Sequence, residues 1–307
     1  MDPIPDLIAA VQRHRLRRDL FHLSSDPLPY RKLNHTRPGR EKSSLDEADD
    51  YLIGELESAG YAVTRETVPV QAQRCDDRKP KAHQYSAPEP GDPWFTASNL
   101  YAERRGSDCP EEIVLALAHK DSQSWVDSPG ANDNCSGTVA LLEIARVLAE
   151  HPTRRTIRFL FCNEEHWPWT SVTAVESARD RGDRLVAIFN LDSLCGKSQE
   201  ETDACRKPLV TAYTEPEGEP FANLVGEVID CYSIGLDHRV VRRGHPGDDD
   251  GSFIQAGYPN AVLLIGSWPY ADPNYHTEQD TPDRVDLDHL LLATQAALAA
   301  IVAAAKG

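Results

Sequence analysis

Ile113-Val-Leu-Ala-Leu-Ala118 runs without a break into His119-Lys-Asp121. Six apolar residues in a row, with no polar alternation, read as a strand buried on both faces, as the interior of a parallel sheet requires. Outward from it the pattern repeats. Strands are predicted at Phe95–Arg104, Thr156–Cys162, Leu185–Leu191, Leu209–Tyr213, Arg239–Val241 and Ala261–Ile265. Helices are predicted at Ser136–Glu150, Ser171–Asp180, Pro220–Ile234, Ser252–Ala256 and Leu287–Ala305. This alternation predicts an α/β fold of three layers, a mostly parallel mixed β-sheet flanked by helices on both faces. Ahead of it, Leu45, Ala48, Leu52, Leu56 and Ala59 fall at helical spacing, so Ser44–Gly60 is read as a helix that stops at Gly60. Tyr61 to Val70 alternates like a strand. The stretch at about 71–94, rich in Pro, Asp, Lys and Gln, is read as a loop or lid insertion, with a plain surface excursion as the alternative. Residues 1–307 are read as one domain.

Composition narrows the function. The net charge of -17 argues against nucleic acid or an anionic membrane as partner, since both reward a positive surface. The opening Met1-Asp-Pro-Ile-Pro-Asp has no basic region followed by an apolar core, so no secretory leader is expected. The longest apolar stretch, Leu290 to Ala305, is interrupted by Thr294 and Gln295 and reads as a core helix rather than a membrane span. Seven scattered cysteines without a CxxC pair suit free thiols in a reducing cytoplasm better than a disulfide framework or a thiolate zinc site.

In open α/β sheets, ligands bind at the carboxyl ends of the strands. Ile113–Ala118 ends in His119-Lys-Asp121, followed by Pro129-Gly-Ala-Asn-Asp133-Asn134. Thr156–Cys162 ends in Asn163-Glu164-Glu165-His166, Leu185–Leu191 ends in Asp192, and Tyr275-His276 follows the last strand. Each signal alone has a bland reading. Asp133 could be a helix N-terminal residue, the Glu pair solvated surface, and Asp192 a strand end. Together they bring unpaired carboxylates to the end of a buried sheet, which is costly unless a cation neutralises them. Two imidazoles and three carboxylates form the nitrogen–oxygen ligand set that suits zinc. Two ions fit better than one: sharing a carboxylate, each takes a His and a second acid. Glu164 is then the spare acid, placed to accept a proton from a water that the ions acidify. Asp121 is placed to orient His119 through its other ring nitrogen.

These motifs are recognisable. His119-Lys-Asp-Ser122, Pro129-Gly-Ala-Asn-Asp-Asn134, Glu164-Glu165, Asn190-Leu-Asp192 and Tyr275-His-Thr277 resemble, in order and spacing, the co-catalytic di-zinc exopeptidases. These include bacterial leucyl aminopeptidases of the MH clan, with glutaminyl cyclases and glutamate carboxypeptidase as relatives. The resemblance implies the phosphorylase/hydrolase-like fold and two zinc ions, or other divalent metals. One ion would be held by His119 and Asp192 and the other by Glu165 and His276, with Asp133 bridging. It implies a peptide or aminoacyl substrate, Glu164 as general base, and Tyr275 as the group that polarises the scissile carbonyl. The chain departs from the family's Gly-Glu-Glu and small residues with Asn163-Glu-Glu-His166-Trp167-Pro-Trp169. The two tryptophans are read as a specificity wall or as loop packing, and His166 as a non-ligand. Asp248-Asp-Asp250 is read as a helix cap or as a substrate contact. An aminopeptidase is the leading expectation. A dipeptidase, a glutaminyl-cyclase-like transferase and a non-catalytic member are the alternatives. The intact Gly130-Ala-Asn-Asp133 run favours hydrolysis over cyclisation.

Overall fold

The computed structural model describes residues 2–306. Its chain order is α1 (Ile4–Ala10), α2 (Arg13–Ser24), α3 (Ser44–Ser58), β1 (Thr64–Ala72), β2 (Arg74–Cys75), β3 (Tyr85–Ser86), β4 (Trp94–Arg104) and β5 (Cys109–His119). There follow α4 (Gly137–Leu148), β6 (Arg155–Cys162), β7 (His166–Trp167), α5 (Thr170–Arg181), β8 (Arg184–Leu191) and α6 (Gln199–Asp203). The chain closes with β9 (Pro208–Tyr213), α7 (Glu219–Cys231), β10 (Asp237–Arg242), α8 (Asp248–Gln255), β11 (Ala261–Ile265) and α9 (Leu287–Lys306).

Nine strands form one sheet in the order β10-β9-β11-β8-β5-β6-β4-β1-β7. The four central strands β11, β8, β5 and β6 are parallel. Antiparallel joints flank them, at β11/β9 on one side and at β6/β4, β4/β1 and β1/β7 on the other. The chain runs from β5 through α4 to β6 on one side, then through α5 to β8 on the other side of β5. That reversal places a topological switch point at β5/β8, where an open α/β sheet leaves a crevice.

Two apolar cores sandwich the sheet. One face buries Val114, Ala116, Ala118, Phe159, Phe161 and Phe189 under α1, α2, α4, α7 and α9; the other buries Leu115, Leu117, Leu160 and Ile188 under α5 and α8. Helix α9 is long and apolar enough to cross a membrane, yet most of its side chains are buried in the first of these cores. Helix α3 starts at Ser43, whose side chain accepts the Asp46 N–H at 3.1 Å, and it packs Ala48, Leu52 and Leu56 inward.

Several expectations shift. The strand expected at Tyr61–Val70 is Thr64–Ala72, its register set by pairing with β4. The helix expected at Ser252–Ala256 begins four residues earlier, so Asp248–Asp250 are its first turn, where the helix dipole favours acids. No side chain caps it. Helices α1 and α2 have no counterpart among the elements expected from the sequence. The apolar pattern of Leu16, Leu20 and Leu23 in α2 is diluted by basic residues, and packing against α4 and α9 is what buries it.

The N-terminal region is tied to the site by one cation. Arg31 is fully buried, and its guanidinium donates to the carbonyls of Lys120, Leu23, Pro129 and Gly130. Gly130 lies at φ +55°, where a Cβ would fall 2.5 Å from the Asp133 carbonyl, so only glycine fits this turn. Beside it, fully buried Lys120 pairs with Asp49 of α3 at 2.8 Å and donates to Asn163 at 2.8 Å.

Two outcomes follow for stability. Arg31→Met strands at least three buried carbonyls and should cost about 3 kcal/mol or more in denaturant unfolding; a loss below about 1 kcal/mol would contradict this role. His289 is buried, which lowers its pKa to about 4, although its Nε2 donates to the Pro208 carbonyl at 2.7 Å. Between about pH 6.5 and 4 the unfolded chain binds a proton at His289 that the folded one refuses, so the His289 contribution to stability falls on acidification through that window and is constant above it. Replacing His289 with Gln should flatten the pH slope of stability there by about one proton.

Candidate metal centre

The site is built from three strand ends and two turns. His119 ends β5, Glu164 and Glu165 follow β6, and Asp192 follows β8. Asp133 sits in the irregular turn before α4, after the Gly130 bend. His276 lies in the turn after β11 at φ +56°, a left-handed conformation that costs a non-glycine residue of order 1–3 kcal/mol. The Thr277 N–H and hydroxyl, both bonded to the Asn274 carbonyl at 3.0 and 2.7 Å, hold that turn.

The structure brings these side chains together as two groups that share one carboxylate. His119 Nε2 lies 3.2 Å from Asp133 Oδ1 and 3.6 Å from Asp192 Oδ1. His276 Nε2 lies 3.0 Å from Asp133 Oδ2 and 3.2 Å from Glu165 Oε1. Within each trio the potential ligand atoms all lie within 4.8 Å of one another, and all five residues are buried. Glu164 and Glu165 point to opposite ends. Glu165 meets His276, whereas Glu164 faces Asp192 and Asp248.

Asp121 organises the centre without entering it. Its Oδ1 takes the Glu164 N–H at 3.0 Å and faces His119 Nδ1 at 3.2 Å. Its Oδ2 takes the Glu165 N–H at 2.9 Å and faces His166 Nδ1 at 2.8 Å. Burial works against ionisation, but the His119 and His166 hydrogen bonds hold its carboxyl well below the usual carboxylate range. Because Nδ1 of His119 is engaged, Nε2 is the nitrogen left facing the carboxylates. His166 Nε2 accepts the Leu33 N–H at 3.2 Å, so His166 is a buried strut and not a ligand.

Two contributors, Asp280 and Gln123, escaped the sequence reading. Asp280 accepts the Asn132 and Asp133 N–H groups at 2.8 and 2.9 Å, fixing the turn that aims Asp133; burial lifts its pKa to about 8. Its place in the Tyr275-His276 run was the available signal. The Gln123 amide donates to Asp133 Oδ2 at 3.0 Å and Glu165 Oε1 at 2.7 Å, and nothing local in the sequence marks it. Asp248, read from the sequence as a helix cap or a substrate contact, caps nothing. Its carboxylate faces the cavity, accepting Tyr270 OH at 2.9 Å and Arg243 Nη1 at 3.0 Å, with burial and then Asp192 raising its pKa to about 7.

Above this floor is a cavity of about 580 Å³, walled by Trp167, Trp169, Tyr270 and Tyr275. The Tyr275 ring stacks on His276 at 3.7 Å. Segment 71–94 forms the roof: β2 and β3 pair as a small hairpin, and the Ala82 carbonyl faces His276 Nδ1 at 2.9 Å. Both tryptophans reach the cavity, with the Trp167 ring half exposed at its mouth, where β7 joins the sheet edge beside β1.

The residues fit divalent cations. Asp133, Glu165, Asp192, Glu164 and Asp248 crowd one rim against two imidazoles, and Glu164 Oε2 is buried without a hydrogen-bond partner. Burial, with Asp249 and Asp248 beside it, pushes the Glu164 carboxyl well above the usual range. Crowded buried acids of this kind need a positive charge among them.

Paired imidazole–carboxylate groups sharing one aspartate, at the carboxyl edge of a mixed α/β sheet, define a metal-site class. The description Peptidase family M28 matches residues 99–301, and the chain belongs to that family. It is 27% identical over 208 residues to a probable aminopeptidase of Saccharomyces cerevisiae, covering 64% of this chain and 54% of that one. The chain spans about half the length of the curated relatives it matches. Its fold resembles a zinc aminopeptidase from Bacillus subtilis (TM-score 0.73, 17% identity, 96% of each chain). It also resembles a glutaminyl cyclase of Bacteroides thetaiotaomicron (TM-score 0.72, 19% identity, 95% of this chain and 98% of that one).

Replacing Asp133 with Ala should empty the centre, read as metal per chain after dialysis; full content would exclude a shared ligand. Asp121→Ala should weaken metal affinity about 10- to 100-fold in a competitive chelator titration, the usual cost of losing an outer partner of a ligand.

Proposed function

We propose that this protein is a metal-dependent exopeptidase of the aminopeptidase type that removes the N-terminal residue of peptide or aminoacyl substrates. Asp133 shared between two ligand groups carries this reading. Two ions, zinc in the first instance, would be held by His119, Asp192 and Asp133 and by Glu165, His276 and Asp133. When bound, they would acidify a water and polarise the scissile carbonyl.

The chain's own groups do the rest. Glu164, with its free Oε2 and raised pKa, takes a proton at that oxygen and returns it to the departing amine. Tyr275, at the cavity wall beside His276, offers its phenol to the carbonyl oxygen as charge grows there. Glu164 and Asp248 present negative charge to the substrate's α-ammonium. The 71–94 roof excludes water from the floor. We take residues 1–307 as one catalytic unit in the cytoplasm, a reading supported by seven unpaired cysteines. The net charge of -17 supports a partnership with neither nucleic acid nor membrane.

Glu164→Gln should retain metal while kcat on leucine p-nitroanilide falls about 100-fold or more, and a chelator should abolish wild-type activity until zinc is restored. Undiminished turnover by the Gln variant would remove Glu164 from the proton path. Cyclisation of N-terminal glutamine without release of amino acids would replace hydrolysis as the activity.

A further inference from the structure

Segment 71–94 carries four Lys and Arg residues, and three are neutralised. Arg74 pairs with Glu89 and Asp92, Arg78 with Asp76, and Lys81 with Glu278. Lys79 is the exception. Among the described residues no carboxylate lies within ion-pair distance of it, in a chain with 49 acids against 32 Lys and Arg. Its ammonium donates to the Tyr85 carbonyl at 2.6 Å, lies 5.7 Å from the Tyr85 ring, and lines the site cavity beside His83.

The position of this cation gives the cavity a direction. Glu164, Asp192 and Asp248 make the end nearest His119 acidic. The roof closes on the other end, through the Ala82 carbonyl at His276 Nδ1 and through the Tyr85 ring, edge-on to His276 at 5.8 Å. Lys79, bonded to Tyr85, therefore sits toward the His276 end. The acids at the His276 end, Asp133 and Glu165, belong to the ligand groups and would be offset by bound cations. That leaves Glu164 and Asp248 as the spare acids at the His119 end and Lys79 as the spare cation toward the other. With ions bound, that arrangement fits a substrate with an ammonium at one end and an anion at the other. Its volume of about 580 Å³ suits a small enclosed ligand better than a long chain.

We propose that Lys79 docks a carboxylate on the leaving side of the substrate, so that the preferred substrates are di- and tripeptides with a negative group just beyond the scissile bond. This rests on the aminopeptidase reading. The carboxylate is either the C-terminus of a dipeptide or an acidic side chain in the second residue; both offer the same chemistry to an ammonium.

The zinc-loaded protein and its Lys79→Gln and Lys79→Glu variants are assayed on leucyl-alanine, leucyl-alanine amide and the α-amide of leucyl-aspartic acid. Within each protein, kcat/KM for a carboxylate substrate is divided by that for leucyl-alanine amide. The expected wild-type ratio is about fivefold, the worth of one partly solvated ion pair, and it should shrink as salt is raised. It should fall to about one in the Gln variant and below one in the Glu variant, mainly through KM. Preference for leucyl-alanine alone assigns the C-terminal carboxylate, and preference for the aspartyl amide alone assigns the side chain. A wild-type ratio of one, or a ratio that survives Lys79→Gln, overturns the proposal while leaving the aminopeptidase reading intact. Failure to cleave leucine p-nitroanilide and all three peptides sinks both.

Discussion

Carboxylates crowded on one rim repel one another, and no neutral packing can compensate five of them, three buried and two half-buried. Asp133, Glu165, Asp192, Glu164 and Asp248 converge where β5, β6 and β8 end, with the imidazoles of His119 and His276 among them. In a low-dielectric setting this arrangement persists only with positive charge in its midst. The neighbouring structure serves to hold the acids in register for that charge.

Those holders are themselves polar and buried. Asp121 collects two backbone N–H groups and two imidazoles, so the loop after β6 cannot swing without breaking three hydrogen bonds. Asp280 performs the equivalent task for the Asp133 turn, and Arg31 ties that turn to the N-terminal segment through four carbonyls. A carboxylate that accepts backbone N–H groups on both oxygens is a rigid locator, since rotation costs both bonds. The left-handed backbone at His276 belongs to the same design, with local cost accepted so that one ring nitrogen faces Asp133 and Glu165.

The roof gives this framework its individual character. Its Ala82 carbonyl faces the outer nitrogen of His276, so covering the cavity and orienting the His276 ring are one event. Together with Trp167 and Trp169 it turns a crevice at a sheet edge into a partly covered cavity.

The sequence alone determined the central strand, the strand–helix alternation and the residues that meet at the rim. Those signals are local: a six-residue apolar run, helical spacing, and polar residues placed directly after strands. It did not reveal α1 and α2, the start of α8 at Asp248, or the roles of Gln123 and Asp280, and it left Asp248 between a helix cap and a substrate contact. Each of these depends on a partner distant in the chain, as Asp280 depends on the backbone of Asn132 and Asp133. The tertiary structure also decided that His166 is a strut, because its two nitrogens are taken by Asp121 and Leu33. It decided too that 71–94 covers the site, because only folding brings Ala82 to His276. Periodicity and residue type are written in neighbouring positions, whereas the partner of a buried polar group is chosen by the fold.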